Sequence, residues 1–493
     1  MIGKLGVGSK QVVFDDSALN VFKSETTQDT NIVVTVGIGG DYPTINEALG
    51  YLSKKKLKYG VGIKAEIKLL SGFIMQEQVY VEGINLGWIR ITSVDATVTI
   101  NRVSLTAEKV NIPPHNETSS AVISYGAFCG MYNAILPVIA VLFIMDETGS
   151  QANRDAFFVG KGSQITIEQT KGCINAGQTG IYCVEGARVV AVDVNISNAK
   201  GNGISCFRGG YVSFRGGDAS GAGAYGIYLD NTSVADASSA NFLNSTSGVW
   251  VDGNSMLSCS YSNISNSGGH AIIAGNGSIV DAHGATLDGA TQRGVSCDAG
   301  MVIVKNASIK NAGTDGIYCI NNGTVDAESA DITGGTNNGI YALKGGKVNA
   351  YGANAQKIIG TNGNDFRVVN GGIIIANSGI GGTYGSVPNT VSAGGIIIKD
   401  GVSVGFTGTL SARVVWSTGT TNLGSSTIPL DNADIKTVTI TAMDVYFGAV
   451  LTEAERALIS IEKTKLSVSF KVNNADLALK LSGQNTKITL TVS

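Results

Sequence analysis

Proline, histidine and charge are scarce in this chain. Its 6 prolines beside 66 glycines exclude the joint proline and glycine enrichment of a disordered tract. With only 3 histidines, and with aspartate spacing that cannot by itself specify calcium, no metal and no cofactor is expected. The 7 cysteines form no CxxC pair, which removes zinc-ribbon and thioredoxin readings. The formal charge is −3 and the one basic run is KKKLK at Lys54–Lys58, so the electrostatic footprint of nucleic-acid binding is missing. The longest apolar run, AILPVIAVLFIM at Ala134–Met145, falls short of the roughly 20 residues of a membrane span. The start, MIGKLGVGSKQ, lacks the apolar stretch of a secretion signal, so synthesis in a reducing cytoplasm is expected.

What is present is repetition. A phrase of the form Gly-Ile-x-Cys returns at Gly180, Gly203, Gly226, Gly248, Ala271, Gly294, Gly316 and Gly339, with a weaker start near Ala156, in steps of 22 or 23 residues. Such a period marks a solenoid. The leucine-rich pattern is absent, and each unit carries three short strand signals separated by Gly, Asn or Ser corners. The prediction is an all-β, right-handed parallel β-helix. One residue after each start the column reads Ile181, Ile204, Ile227, Val249, Ile272, Val295, Ile317, Ile340, and two further on Cys183, Cys206, Leu229, Val251, Ala274, Cys297, Cys319, Ala342. Both columns belong to the core, and four of the cysteines become a ladder of free thiols.

The ends differ. Thr44-Ile45-Asn46-Glu47 reads as a capping box opening an amphipathic helix, with Ile45, Ala48, Leu49 and Leu52 on one face and lysines at its C-terminal end. It would cap the solenoid, with residues 31–112 forming the cap and first strands and 113–400 the coils. Residues 401–493 read as a small β-rich domain for trimerisation or glycan binding, with a helical patch at Leu451–Ile459. Residues 1–30 are polar and unpatterned, suited to attachment or disorder.

GGDYPTINEALGYL, IKLLSGFIMQEQVYV and LGWIRITS resemble the opening of pectin-lyase-like β-helices, and ILPVIAVLFIMDETG and GSVPNTVSAGGIIIKDG resemble the tailspike depolymerases of bacteriophages within that superfamily. With the repeats, the resemblance spans roughly residues 35–400. It implies a homotrimer in the phage virion that binds a bacterial surface polysaccharide, capsule or O-antigen, and often cleaves it. Another phage tail protein is a possible attachment partner. No pectinesterase signature can be placed, so that activity is not carried over.

Between the core columns lies an outward column: Tyr182, Ser205, Tyr228, Trp250, Ile273, Ser296, Tyr318, Tyr341. Flat rings on a rigid sheet suit the apolar faces of sugars, or stacking between coils or subunits. The next column, Val184, Phe207, Asp230, Asp252, Gly275, Asp298, Ile320, Leu343, is also expected to face outward. Asp230 and Asp252 would stand one coil, about 5 Å, apart and suit a retaining glycosidase pair, whereas Asp252 and Asp298, about 10 Å apart, approach an inverting pair. Aspartate also favours corners without any catalytic role. The expected site is therefore Asp252 with Asp230 or Asp298 for catalysis, and Tyr182, Tyr228, Trp250 and Tyr318 for sugar binding. Arg208, Arg293 and His270 supply the cation and base of a rival polysaccharide lyase acting on a uronic acid. Asp281, His283, Asp326 and Glu328 form a competing groove without aromatic lining. A receptor-binding fibre or adhesin that binds without cleaving is the non-enzymatic alternative.

Overall fold

The computed structural model describes residues 30–57, 64–102, 126–146, 154–357 and 364–376, with shorter strand and helix segments before residue 30 and after residue 389. The domain boundaries expected near residues 112 and 400, and residues 385–389 and 393–394 of the tailspike-like stretch, lie outside the described residues. The chain divides into two compact units, Met1–Ser267 and Gly268–Ser493.

In the first unit the strands Val79–Glu82, Phe128–Met131, Phe157–Val159, Ile181–Val184, Ile204–Phe207, Tyr225–Asp230 and Ser247–Val251 pair in order, all parallel. A second parallel sheet runs through Gln164–Thr166, Arg188–Val190, Tyr211–Ser213, Val234–Asp236 and Met256–Ser258. A third parallel sheet runs through Ile74–Met75, Thr97–Ile100, Leu142–Met145 and Gly172–Ile174, and beyond it the third strand expected in each coil contracts to single bridges, Gly172 to Asn195 to Asp218 to Asn241 to Asn263. A side-chain ladder explains the contraction. Asn195, Asp218, Asn241 and Asn263 each accept through Oδ1 the N–H two residues on, bending the chain away from extended pairing.

The second unit repeats the plan. Ile272–Gly275, Val295–Asp298, Ile317–Ile320, Asn338–Leu343 and Asn364–Val369 form its long sheet, and Ile279–Asp281, Met301–Ile303, Thr324–Asp326, Lys347–Ala350 and Ile373–Ala376 the neighbouring one. After residue 400 the described strands are antiparallel: Asn485–Val492 lies between Thr409–Val415 and Ile440–Tyr446, and Ser467–Val472 between Asn422–Thr427 and Ile459–Lys463. The helical patch forms Glu453–Ala457, opened by a Thr452–Glu455 capping box.

Packing follows the two apolar columns, whose members from Ile181 to Ala342 are all fully buried. The glycine that starts most coils has a steric reason. A Cβ on Gly203 would stand 2.5 Å from the carbonyl oxygen of Gly226 and 2.8 Å from the Cβ of Ala219. Asparagine serves the corners because it tolerates the left-handed region: Asn231, Asn254, Asn276 and Asn321 all have positive φ.

The capping helix is Ile45–Leu52, burying Ile45, Ala48, Leu49 and Leu52 as expected. Two details differ from the sequence reading. Thr44 accepts from the N–H of Glu47, but the carboxylate that covers the other free N–H groups is Glu77, bonded to Ile45 and Asn46. The helix also ends at Leu52 with no basic residue in its last turn, because Lys56–Leu57 already pair as strand with Thr27–Gln28. Before it, Gly3–Val7 and Lys10–Phe14 pair antiparallel within the segment that the sequence left without a pattern.

Candidate functional site

Rings drawn from two neighbouring columns of the first unit form a continuous series of contacts. Phe158 stacks on Tyr182 with centroids 5.0 Å apart and planes 10° from parallel. Tyr182 meets Phe207 at 5.5 Å, Phe207 meets Tyr228 edge-on at 5.0 Å, and Tyr228 meets Trp250 at 5.3 Å. Tyr225 closes the end, 5.6 Å from Tyr228 and 5.0 Å from Trp250. Phe158–Tyr182 and Tyr228–Trp250 are register partners one coil apart, whereas Phe207, from the next column, bridges Tyr182 and Tyr228 diagonally across Ser205; offset or edge-on geometry is what aromatic rings prefer. All of these side chains are half-buried. Ser205 is the exception in the column: it is buried, bonded to Asn202 Nδ2 at 2.9 Å.

The sequence reading missed Phe158 and Tyr225. Phe158 continues the same column one coil earlier, from the weak start at Ala156, and was legible there. Tyr225 precedes its coil start as the first residue of the strand Tyr225–Asp230, in register with Ser247.

Asp230 and Asp252 lie at the Trp250 end. The Asp252 N–H donates to the carbonyl of Leu229 at 2.9 Å, which places Asp252, just past Ser247–Val251, beside the end of the Tyr225–Asp230 strand. Both charges act on the Tyr228 hydroxyl, which is raised above its ordinary range by burial first and by these carboxylates second. Their surroundings differ. Asp230 is held at both oxygens, by the N–H of Asn231 at 2.6 Å and its Nδ2 at 3.0 Å. Asp252 accepts through Oδ1 from the N–H of Gly253 at 2.9 Å. The column is not uniformly outward as expected: Val184 and Leu343 are buried, although the positive-φ corner follows them directly, at Glu185 and Lys344, as it does in the other coils.

In the second unit Asp298 is exposed and accepts from Asn321 Nδ2 at 2.8 Å. Tyr318 meets Tyr341 edge-on at 5.3 Å, and each ring carries an arginine, Arg293 at 3.7 Å over Tyr318 and Arg367 at 4.6 Å over Tyr341. Arg367 is a further residue that the sequence reading missed, although it occupies the same column one coil after Tyr341. His270 is half-buried, its Nδ1 has no hydrogen-bond partner, and burial together with the nearby Arg293 lowers its pKa below the ordinary histidine value.

The three residues expected to supply the cation and base of a lyase differ in their position along the strands. Arg208 follows its strand at a positive-φ corner and pairs with Glu185 at 3.0 Å, whereas His270 and Arg293 precede theirs. They occupy opposite strand ends. The competing groove is engaged internally: Asp281 holds His283 at 3.3 Å, and Lys305 bridges Asp326 at 3.1 Å and Glu328 at 2.8 Å. Among the described residues no group of acidic, histidine and cysteine side chains could hold a metal ion, and no helix is long and apolar enough to cross a membrane.

The rings of the stripe are half-buried on the outward side of the long sheet. A cleft of about 320 Å³ in the first unit lies elsewhere, beneath the capping helix against Tyr80 and Glu82. A row of rings suits a polymer lying across several coils better than a small molecule held in a pocket.

A family model described as a right-handed β-helix region matches residues 202–356, which agrees with the coil plan above. Among solved structures the chain is similar to the crystal structure of the Dettilon tailspike protein, at 10% identity and a TM-score of 0.37, over 91% of this chain and 90% of that one. A likeness at that level carries no argument about activity. No curated protein matches the chain.

Proposed function

We propose that this β-helix binds a bacterial surface polysaccharide along its aromatic stripe and depolymerises it by glycosidic hydrolysis, as a trimeric phage tailspike. The observation that carries the reading is the unbroken ring series from Phe158 to Trp250 with two carboxylates at its end. Purely structural rings would not need carboxylates beside them, and corner aspartates would not need rings.

Asp230 and Asp252 stand one coil apart, and the coil repeat of about 5 Å is the spacing that a retaining pair requires. Asp230, oriented at both oxygens by Asn231, serves as the nucleophile that attacks the anomeric carbon. Asp252 protonates the departing glycosidic oxygen, then takes a proton from the water that releases the glycosyl-enzyme. Tyr228 and Trp250 hold the sugars on either side of the bond. The test is release of reducing ends from capsular and O-antigen polysaccharides by the purified protein, compared with Asp252→Asn and Asp230→Asn. Undiminished cleavage by both variants would sink the assignment, and saturable binding without cleavage would leave an adhesin.

A second reading is favoured by His270, a neutral imidazole beside Arg293, which matches the base and cation of an elimination on a uronic acid. It predicts ultraviolet absorbance from an unsaturated product, which hydrolysis does not generate.

A further inference from the structure

In the second unit two tyrosines of the outward column each carry an arginine over the ring, Arg293 over Tyr318 and Arg367 over Tyr341. Tyr318, Tyr341 and Arg367 are register partners on three consecutive strands, and Arg293, just before the strand preceding them, reaches over Tyr318, so two guanidinium groups bracket a two-tyrosine platform roughly 14 Å long.

Neither arginine is fully used by the protein. Arg293 reaches Asp315 through Nε alone, at a long 3.4 Å. Asp315 is buried and already held by the amide groups of Asn337 at 3.1 Å and Asn338 at 2.6 Å, so its charge is shared among three donors. The terminal nitrogens of Arg293 have no other partner among the described residues. Arg367 has no carboxylate partner there at all, and its Nε is buried without an acceptor. A buried donor on a cation is costly to leave unmet, and a guanidinium over a tyrosine ring keeps its charge at the face where a sugar would lie.

We infer that the glycan recognised here is acidic, and that Arg293 and Arg367 bind a carboxylate, sulfate or phosphate carried by sugars lying over Tyr318 and Tyr341. This deepens the proposed glycan-binding reading and rests on it. The two forks take a planar or tetrahedral anion through paired N–H donors, while the tyrosines take the apolar faces of the rings.

Saturation-transfer NMR on the full chain with glucose, glucuronate, glucose 6-sulfate and glucose 6-phosphate tests it, because ligand signals are read and protein size is no obstacle. At least one acidic sugar is expected to bind about tenfold more tightly than glucose, and that advantage should vanish in Arg367→Gln and in Arg293→Gln. The acidic sugar that gains most identifies the substituent. Arg367→Gln breaks no ion pair among the described residues, so the test stands even if Arg293→Gln, which leaves Asp315 without its cation, fails to fold. Equal binding of glucose and every acidic sugar overturns the inference while leaving glycan binding intact. So does an acidic preference that survives both substitutions. Absence of signal from all four sugars also overturns it, and polysaccharide cleavage then judges the broader reading separately.

Discussion

Glu77 accepts the backbone N–H of Ile45 at 2.6 Å through one oxygen and that of Asn46 at 2.9 Å through the other. A carboxylate from the first long-sheet region thereby closes the N-terminus of the capping helix, supplying acceptors that a local capping box would otherwise provide. Burial nonetheless dominates its titration and pushes its pKa from 4.5 up to about 7.

A pH dependence follows. The folded chain retains a proton on Glu77 that the unfolded chain releases, so the associated stability is complete below pH 4.5 and is lost as pH rises through about 7. The shift corresponds to roughly 3 kcal/mol. Glu77→Gln, which cannot ionise, should flatten this part of the profile. Thermal unfolding of parent and variant on both sides of that window measures it, and parallel pH slopes would count against the assignment.

Two glycines should respond in opposite directions to alanine. At Gly203 a new Cβ meets the Gly226 carbonyl and Ala219, so Gly203→Ala is expected to cost about 1–3 kcal/mol. Gly50 lies in the capping helix, where an added Cβ would have nothing within 4 Å, and Gly50→Ala should stabilise by about 0.5–1 kcal/mol. Paired denaturant titrations test the contrast; equal effects would mean that the coil-start glycine has no steric role.

All seven cysteines are buried and free, including Cys183 and Cys206, which are paired in register on adjacent strands. Thiol reagents should leave the native protein largely unreacted and label seven groups after unfolding without reductant. A count of five would reveal a disulfide between neighbouring coils.

Trp250 separates a glycan stripe from a subunit seam. On the glycan reading, Trp250→Ala weakens polysaccharide binding by about 2 kcal/mol, roughly thirtyfold, with the assembly unchanged. Light scattering alongside a binding isotherm distinguishes the two. Dissociation of a trimer ahead of any loss of binding would make the rings a seam.

The amino-acid sequence determined the repeat, its 22- and 23-residue period, the two core columns and most of the aromatic column, Tyr182, Tyr228, Trp250, Tyr318 and Tyr341. These are legible because a coil is nearly one-dimensional: each strand alternates in and out, and the neighbour of every residue stands one period away. Only the tertiary structure decided what happens where the chain leaves that regularity. Tyr225 reaches Trp250 from the residue before its coil start, Glu77 caps a helix 32 positions upstream, and the carboxylate of Asp230 turns onto Asn231. Each outcome depends on corner dihedrals and on contacts between distant segments, where side-chain direction is no longer set by the strand's two-residue period and composition alone carries no record of it.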